Sequence, residues 1–322
     1  MSIIDSLSAG YRFLTKRPDL LLIPLFLDIL LWVSPRLSIV SLFEQVSQLY
    51  LETAQTATLS EEIVALVEQA AQGISAVGQS SNLLNLLVNS TLLHVPSLLI
   101  VLEPLAGSQL RDITDPYAVT GLALLFSLSG LLLGVIYMEL MARYLPIGAL
   151  PKAVEWPEFI SRSFRHWGLL IVWVVAMILI MLALSIPVAL AIMVVSLISP
   201  SVASLLTVFL GSLIMILFFY LYFVAAGLIL DNLPLYNAVI QSFVLVRNRF
   251  WKTLGFIILT NFISLGCGLL LDQLASYQPV GTLAAILLNA YIGSGLVMAL
   301  LIFYRTQLIT PDEQELKLVN SE

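Results

Sequence analysis

Six long, mainly apolar stretches run through this sequence: Leu20–Phe43 (broken by Pro35-Arg36), Val119–Ala142, Gly168–Ile198, Val202–Leu230, Leu254–Leu274 and Val280–Tyr304. A helix needs about 20 such residues to cross the hydrocarbon core of a bilayer, where every backbone polar group must pair within the protein. Composition agrees, with 60% of the 322 residues hydrophobic and 11% charged, against about 25% charged in soluble domains. The expected fold is an all-α integral membrane protein, a single polytopic domain over 1–322 with six transmembrane helices.

The first stretch follows Arg12, Lys16 and Arg17 as in a signal peptide, but Pro24 and Asp28 interrupt it. Ser34-Pro35-Arg36 stands where a small-residue cleavage site would be, so the stretch reads as an uncleaved first span. The third and fourth stretches exceed one bilayer crossing and must tilt, kink or protrude. Pro187 is the expected kink, and Ser199-Pro200-Ser201 the tight turn between them.

Basic residues orient the spans. Arg12, Lys16, Arg17, Arg143, Lys152, Arg162, Arg165, Arg247, Arg249, Lys252, Arg305 and Lys317 share one side of a six-span arrangement, and only Arg36 and Arg111 fall on the other. This bias places both termini in the cytoplasm. A seventh crossing at Leu83–Leu102 would move Arg143 to Arg165 outside, so that segment is expected to lie on the outer leaflet or dip into it. Residues 44–116 then form an extracytoplasmic helical insertion between spans one and two. Within it, Ile63, Leu66, Val67, Ala70, Ile74 and Val77 recur at helical spacing, after Ser60 as an N-cap with Glu61 and Glu62 in the first turn.

Three short basic segments precede spans one, three and five, each with an aromatic six residues before an arginine: Tyr11/Arg17, Phe159/Arg165 and Phe243/Arg249. They predict three hairpins, each led in by a cytoplasmic amphipathic helix. In the third, Val239, Phe243, Val246 and Phe250 would rest in the headgroup layer, with Arg247, Arg249 and Lys252 toward lipid phosphates. Arg17, Arg165, Arg247, Arg249, Trp251 and Lys252 are thus candidate contacts to anionic headgroups. Cations spread over a whole inner face are ordinary for topology, and nucleic acid is not expected as a partner. A membrane-protein partner or a second copy stays open.

Ala225-Ala226-Gly227, then Ala238-x-x-x-Ser242-Phe243, then Arg247-x-Arg249-Phe250-Trp251-x-x-Leu254-Gly255 form a pattern. It resembles the six-span membrane domain associated with glycerophosphodiester phosphodiesterases and with related uncharacterised bacterial membrane proteins. The likeness is clearest over 225–275 and fainter over 155–200. The catalytic domain of those enzymes has no counterpart here, so the resemblance implies a membrane fold and no catalytic residue.

Among polar groups inside spans, Asp28 is the candidate intramembrane site, since ionisable residues there are functional by default. A bland role, hydrogen-bonded between helices, competes with it. Glu139 has Arg143 at the i,i+4 spacing of an ion pair. Asp231 and Asp272 sit at span ends and are expected to face water, and His94 and His166 to be interfacial. Asn261 and Asn289 are placed to bond across one hairpin. Gly130-x-x-x-Gly134, Gly266-x-Gly268 and Gly293-x-Gly295 suit close helix packing. One cysteine, Cys267, excludes an intrachain disulfide, and two histidines supply no metal framework; neither a metal nor a cofactor is expected.

No cluster of catalytic groups is visible, so the expected function is a non-enzymatic, bilayer-associated or partner-binding accessory role. The alternative is a transporter or permease for a small or lipid-like substrate using Asp28. An intramembrane lipid enzyme would need acids and histidine gathered on one face.

Overall fold

The computed structural model describes residues 2–56, 61–88, 95–98, 110–145 and 156–308. The chain order is α1 (Ile3–Lys16), a 3-10 turn, α2 (Leu22–Val33), β1 (Arg36–Ser38), α3 (Val40–Thr56), α4 (Glu61–Ser80) and a second 3-10 turn. There follow β2 (Leu110–Asp112), α5 (Pro116–Arg143), α6 (Trp156–Ile198), α7 (Pro200–Tyr220), α8 (Val224–Leu230), α9 (Leu235–Asn248), α10 (Phe250–Ala275) and α11 (Val280–Leu308). Among the described residues, five helical segments are long and apolar enough to cross a membrane: α5, α6, α7 with α8, α10 and α11.

The ends of these segments alternate. Glu139 near the end of α5 meets His166 near the start of α6, and Arg305 near the end of α11 meets Asp231 at the end of α8. One end of the bundle therefore gathers Arg143, Arg165 and Arg305 with the start of α10, which follows Arg249. It is the cation-rich end.

The first expected span is not one helix. α1 is fastened at its start by a reciprocal cap, the Ser2 amide donating to Asp5 at 2.8 Å and the Asp5 amide to the Ser2 hydroxyl at 3.2 Å. The helix ends at Arg17, and α2 adds only 12 residues, about 18 Å at 1.5 Å per residue. Together they traverse the bundle in two pieces. Ile3 packs at Gly255, six residues beyond the Arg249 cap of α10, and Gly10 presses on the Gly295 and Ala299 backbone. Asp28 bonds to Leu98, which packs with Leu271, Ala275 and Ala285 at the opposite end of α10 and α11.

The three leading segments also differ. α1 and α9 stop at Arg17 and Arg249, whose backbones leave the helical region. The middle one does not stop: α6 runs for 43 residues through Arg165 and through Pro187. α9 also turns another face inward than its pattern predicts. Ala238, Ser242, Leu245 and Val246 are buried in the protein, so Val246 does not meet the headgroup layer. Phe243 stacks on Tyr220 at 4.6 Å and Phe250 lies against Phe219 at 5.3 Å. Trp251 remains 79% exposed, beside exposed Arg247, Arg249 and Lys252.

α3 and α4 pack together at the end opposite the cations, the Ser47 hydroxyl donating to the Ala71 carbonyl at 3.0 Å. α4 begins at Glu61 as its periodicity predicts, while Ser60 lies outside the described residues. Among the described residues the strands form one short parallel pair, Arg36 to Ser38 beside Leu110 to Asp112. The Arg36 guanidinium reaches the carbonyls of Ser81, at 3.3 Å, and Gln79, a cation at a helix C-terminus.

Of the glycine pairs, Gly130 meets the Leu86 and Leu87 carbonyls, Gly293 meets Pro96 and Gly295 meets Tyr11. Gly266 and Gly268 face open space and serve no close approach.

Candidate functional site

At the cation-rich end four helices bring together groups scattered through the sequence. Glu139 of α5 is buried, and both its oxygens turn across to α6. The Ser163 hydroxyl donates to Oε2 at 2.6 Å, and Nδ1 of His166 lies 2.5 Å from Oε1. His166 is fully buried, and its Nε2 lies 2.9 Å from Oδ1 of Asn232. Arg165 also donates to that Oδ1, which fixes the amide orientation. Both ring nitrogens therefore face acceptors, an arrangement that suits the doubly protonated imidazole beside a carboxylate. Glu139 is thus bound across to α6, and His166 is internal rather than interfacial.

Asn232 and Asp231 follow α8 directly. Asn232 has φ of 53°, the left-handed conformation that asparagine tolerates just past a helix end. Asp231 does not face water as expected. Its carboxylate accepts from the Tyr304 hydroxyl at 2.7 Å, from Arg305 and from Gln241 at 3.4 Å. Gly227 leaves room for the Tyr304 hydroxyl, 3.1 Å from where a Cβ would stand. The Tyr304 ring is tilted against Phe223, 5.7 Å away, and Phe303 stacks on Phe256 at 4.4 Å. α8, α10 and α11 are tied by aromatic packing beneath the polar layer.

This end gathers the acids and the histidine that a lipid enzyme would need. Ser163 and His166 both address Glu139 rather than each other, so no nucleophile–base pair forms. Among the described residues no group of three or more His, Cys, Asp or Glu could hold a metal.

Farther into the bundle lies a cavity of about 660 Å³ between α5, α6, α8 and α11. Its wall includes Met138, Trp173, Met177, Met181, Phe218, Tyr222, Ala226 and Leu300. Trp173 is seven residues beyond His166, about 10 Å along α6. The cavity has a visible origin. Every buried residue of α6 lies between Phe159 and Trp173, and α7 meets α9 and α10 through Phe219 and Tyr220 at its end while residues 211–218 are exposed, so the α6–α7 hairpin parts from the core at its root. The volume is that of a small-molecule site, about 300–1,000 Å³, and far above the voids of a packed interior.

Of the sequence candidates, Asp28 is fully buried. It accepts from the Ser97 hydroxyl and, at 3.1 Å, from the Leu98 amide. Residues 95–98 therefore dip into the bundle. Asn289 is close enough to act on the Asp28 carboxylate, yet its own amide nitrogen has no partner among the described residues. Asn261 instead donates to Ile257 on its own helix at 2.8 Å, so no asparagine pair crosses the hairpin. Asp28→Asn keeps an acceptor for the Leu98 amide and is expected to cost about 1 kcal/mol, one net hydrogen bond. Thermal unfolding in detergent would measure it, and a loss several times larger would mean that the charge itself is needed.

Arg17 stacks over the Tyr144 ring at 4.2 Å and lies 3.7 Å from Asp19. Arg165 is committed to Asn232. Arg247, Arg249, Trp251 and Lys252 form the outward-facing set, and beside them Asn237, Gln241, Asn248, Arg249 and Gln307 line a groove of about 490 Å³. Glu139, Asp231, Asn232 and Tyr304 were not singled out as a site in the sequence. The one local signal was Asp231-Asn232-Leu233-Pro234, a helix stop after an apolar run. His94 lies outside the described residues.

No family model, curated protein or solved structure matches this chain.

Proposed function

We propose that this chain is a non-enzymatic, multi-pass protein of the bacterial plasma membrane that binds a lipid between its helices. The observation that carries this reading is the apolar cavity walled by α5, α6, α8 and α11. In a bilayer the molecules that reach such a site at the highest concentration are lipids, and the wall is methionine-rich, a surface that adapts to flexible chains. The cation-rich end faces the cytoplasm in this reading, following the basic-residue bias. α1 and α2 together supply a sixth crossing in it. Arg247, Arg249, Trp251 and Lys252 then sit at headgroup level, where each cation adds about 1 kcal/mol of attraction to anionic lipid. The likeness of 225–275 to the phosphodiesterase-associated membrane domains belongs to the same proposal and lends no residue a role.

The closed pairing of Glu139, Ser163 and His166 supports binding over catalysis. The capture of Asp28 by Ser97 and Leu98 supports an anchoring role for that acid over transport. Filling the cavity tests the reading. Ala226→Trp is expected to remove most of the lipid that remains on the full chain after detergent exchange, read by native mass spectrometry. Retention equal to that of the unsubstituted protein, in a variant with unchanged melting temperature, would end the cavity reading.

A further inference from the structure

The cavity wall is apolar except at two hydrogen-bond donors that the protein leaves unused. Tyr222 lies in the break between α7 and α8 and lines the cavity. Three other tyrosine hydroxyls in the bundle are spent. Tyr11 donates to the Ile292 carbonyl at 3.1 Å, Tyr137 to Ser294 at 2.7 Å and Tyr304 to Asp231 at 2.7 Å. The Tyr222 hydroxyl has no partner among the described residues, and no charged side chain acts on it. Trp173, across the cavity wall on α6, likewise has an indole N–H with no partner among the described residues. Ser185, the other hydroxyl in the wall, is spent on the Leu182 carbonyl at 2.8 Å.

An unpaired donor at membrane depth has no water to satisfy it, so these two groups favour a ligand that brings an acceptor. We propose that the ligand is an acyl ester whose carbonyl oxygen accepts from the Tyr222 hydroxyl, with the Trp173 indole as the second donor. The chain beyond the carbonyl lies along Met177, Met181 and Phe218. An ester is the acceptor that joins chain to headgroup in a glycerolipid, whereas a hydrocarbon or a prenyl chain offers none. The inference rests on the lipid-binding reading and makes a narrower claim.

The test uses two probes, a diacyl phosphatidylglycerol and its dialkyl ether analogue, competing for the full chain in detergent and read by native mass spectrometry. The unsubstituted protein should retain the diacyl form about fivefold better, the scale of one net hydrogen bond. Tyr222→Phe or Trp173→Phe should bring that ratio close to one while total retention stays measurable. No preference in the unsubstituted protein, or a preference that survives both substitutions, would overturn the ester assignment. If Ala226→Trp still strips both probes in that case, the cavity reading stands without it. Retention of both probes by Ala226→Trp overturns the two together.

Discussion

Glu139→Ala is expected to lower the stability of the protein by about 3–5 kcal/mol, the cost of breaking a buried pair and leaving its partner uncompensated. The reason is in the environment of His166. That ring is fully buried, faces acceptors on both sides and loses its anionic partner in the variant. An ordinary hydrogen bond between membrane helices contributes about 0.6 kcal/mol, so a loss of the larger size would identify a charge effect. The decisive companion is the double variant Glu139→Met with His166→Leu. Removing both charges and filling the space with apolar atoms is often neutral in stability, so the double variant should recover most of what the single one loses. Thermal unfolding in detergent, followed by intrinsic tryptophan fluorescence, measures both. A double variant as unstable as the single one, or a single variant within about 1 kcal/mol of the starting protein, would mean that His166 is not held as the partner of a charge.

The same pair shows which parts of the fold a linear pattern carries. The five long spans and the hairpin turn at Ser199-Pro200 are legible because lipid imposes length and apolarity on each segment separately. Arg143, four residues from Glu139, is the visible partner at helical spacing. The partner the fold uses is 27 positions away on α6, reached because a carboxylate below the surface gains more from a dry contact than from an interfacial one. Asp28 was legible as an unusual residue, but its partners are 69 and 70 positions away on a segment without helical periodicity. A proline alone does not decide where a helix stops. α6 passes through Pro187 as one helix, whereas the first apolar stretch divides into α2, β1 and α3. In apolar surroundings an interrupted backbone is costly, and α6 above Trp173 has almost no protein around it to repair a break. The first stretch has the Arg36–Ser38 strand pairing and the Asn82 side chain, which accepts from the Leu37 amide at 3.1 Å.

Where the protein does break a spanning helix, it supplies the repair, and Ser242→Val should expose it. Between α7 and α8 the chain leaves the helix at residues 221 to 223, and the Ser242 hydroxyl of α9 bridges the gap. It donates to the Tyr220 carbonyl at 2.8 Å and accepts from the Phe223 amide at 3.1 Å. Ser242 is the serine of the Ala238-x-x-x-Ser242-Phe243 pattern, and all three residues act at this point. Ala238 packs on Gly227, its Cβ lying 3.5 Å from where one would stand there, and Phe243 stacks on Tyr220. What read as an approach to the membrane is a clasp that holds a broken helix. Valine is apolar and leaves both backbone groups unpaired where water is scarce, at about 1–3 kcal/mol for each buried group. The expected loss is about 2–6 kcal/mol, with faster amide hydrogen exchange confined to residues 220–227. Ser242→Thr keeps the hydroxyl while adding nearly the same bulk, and should retain most of the stability and the slow exchange. If valine and threonine prove equally damaging, the site is sensitive to volume alone and the clasp is not made by the hydroxyl.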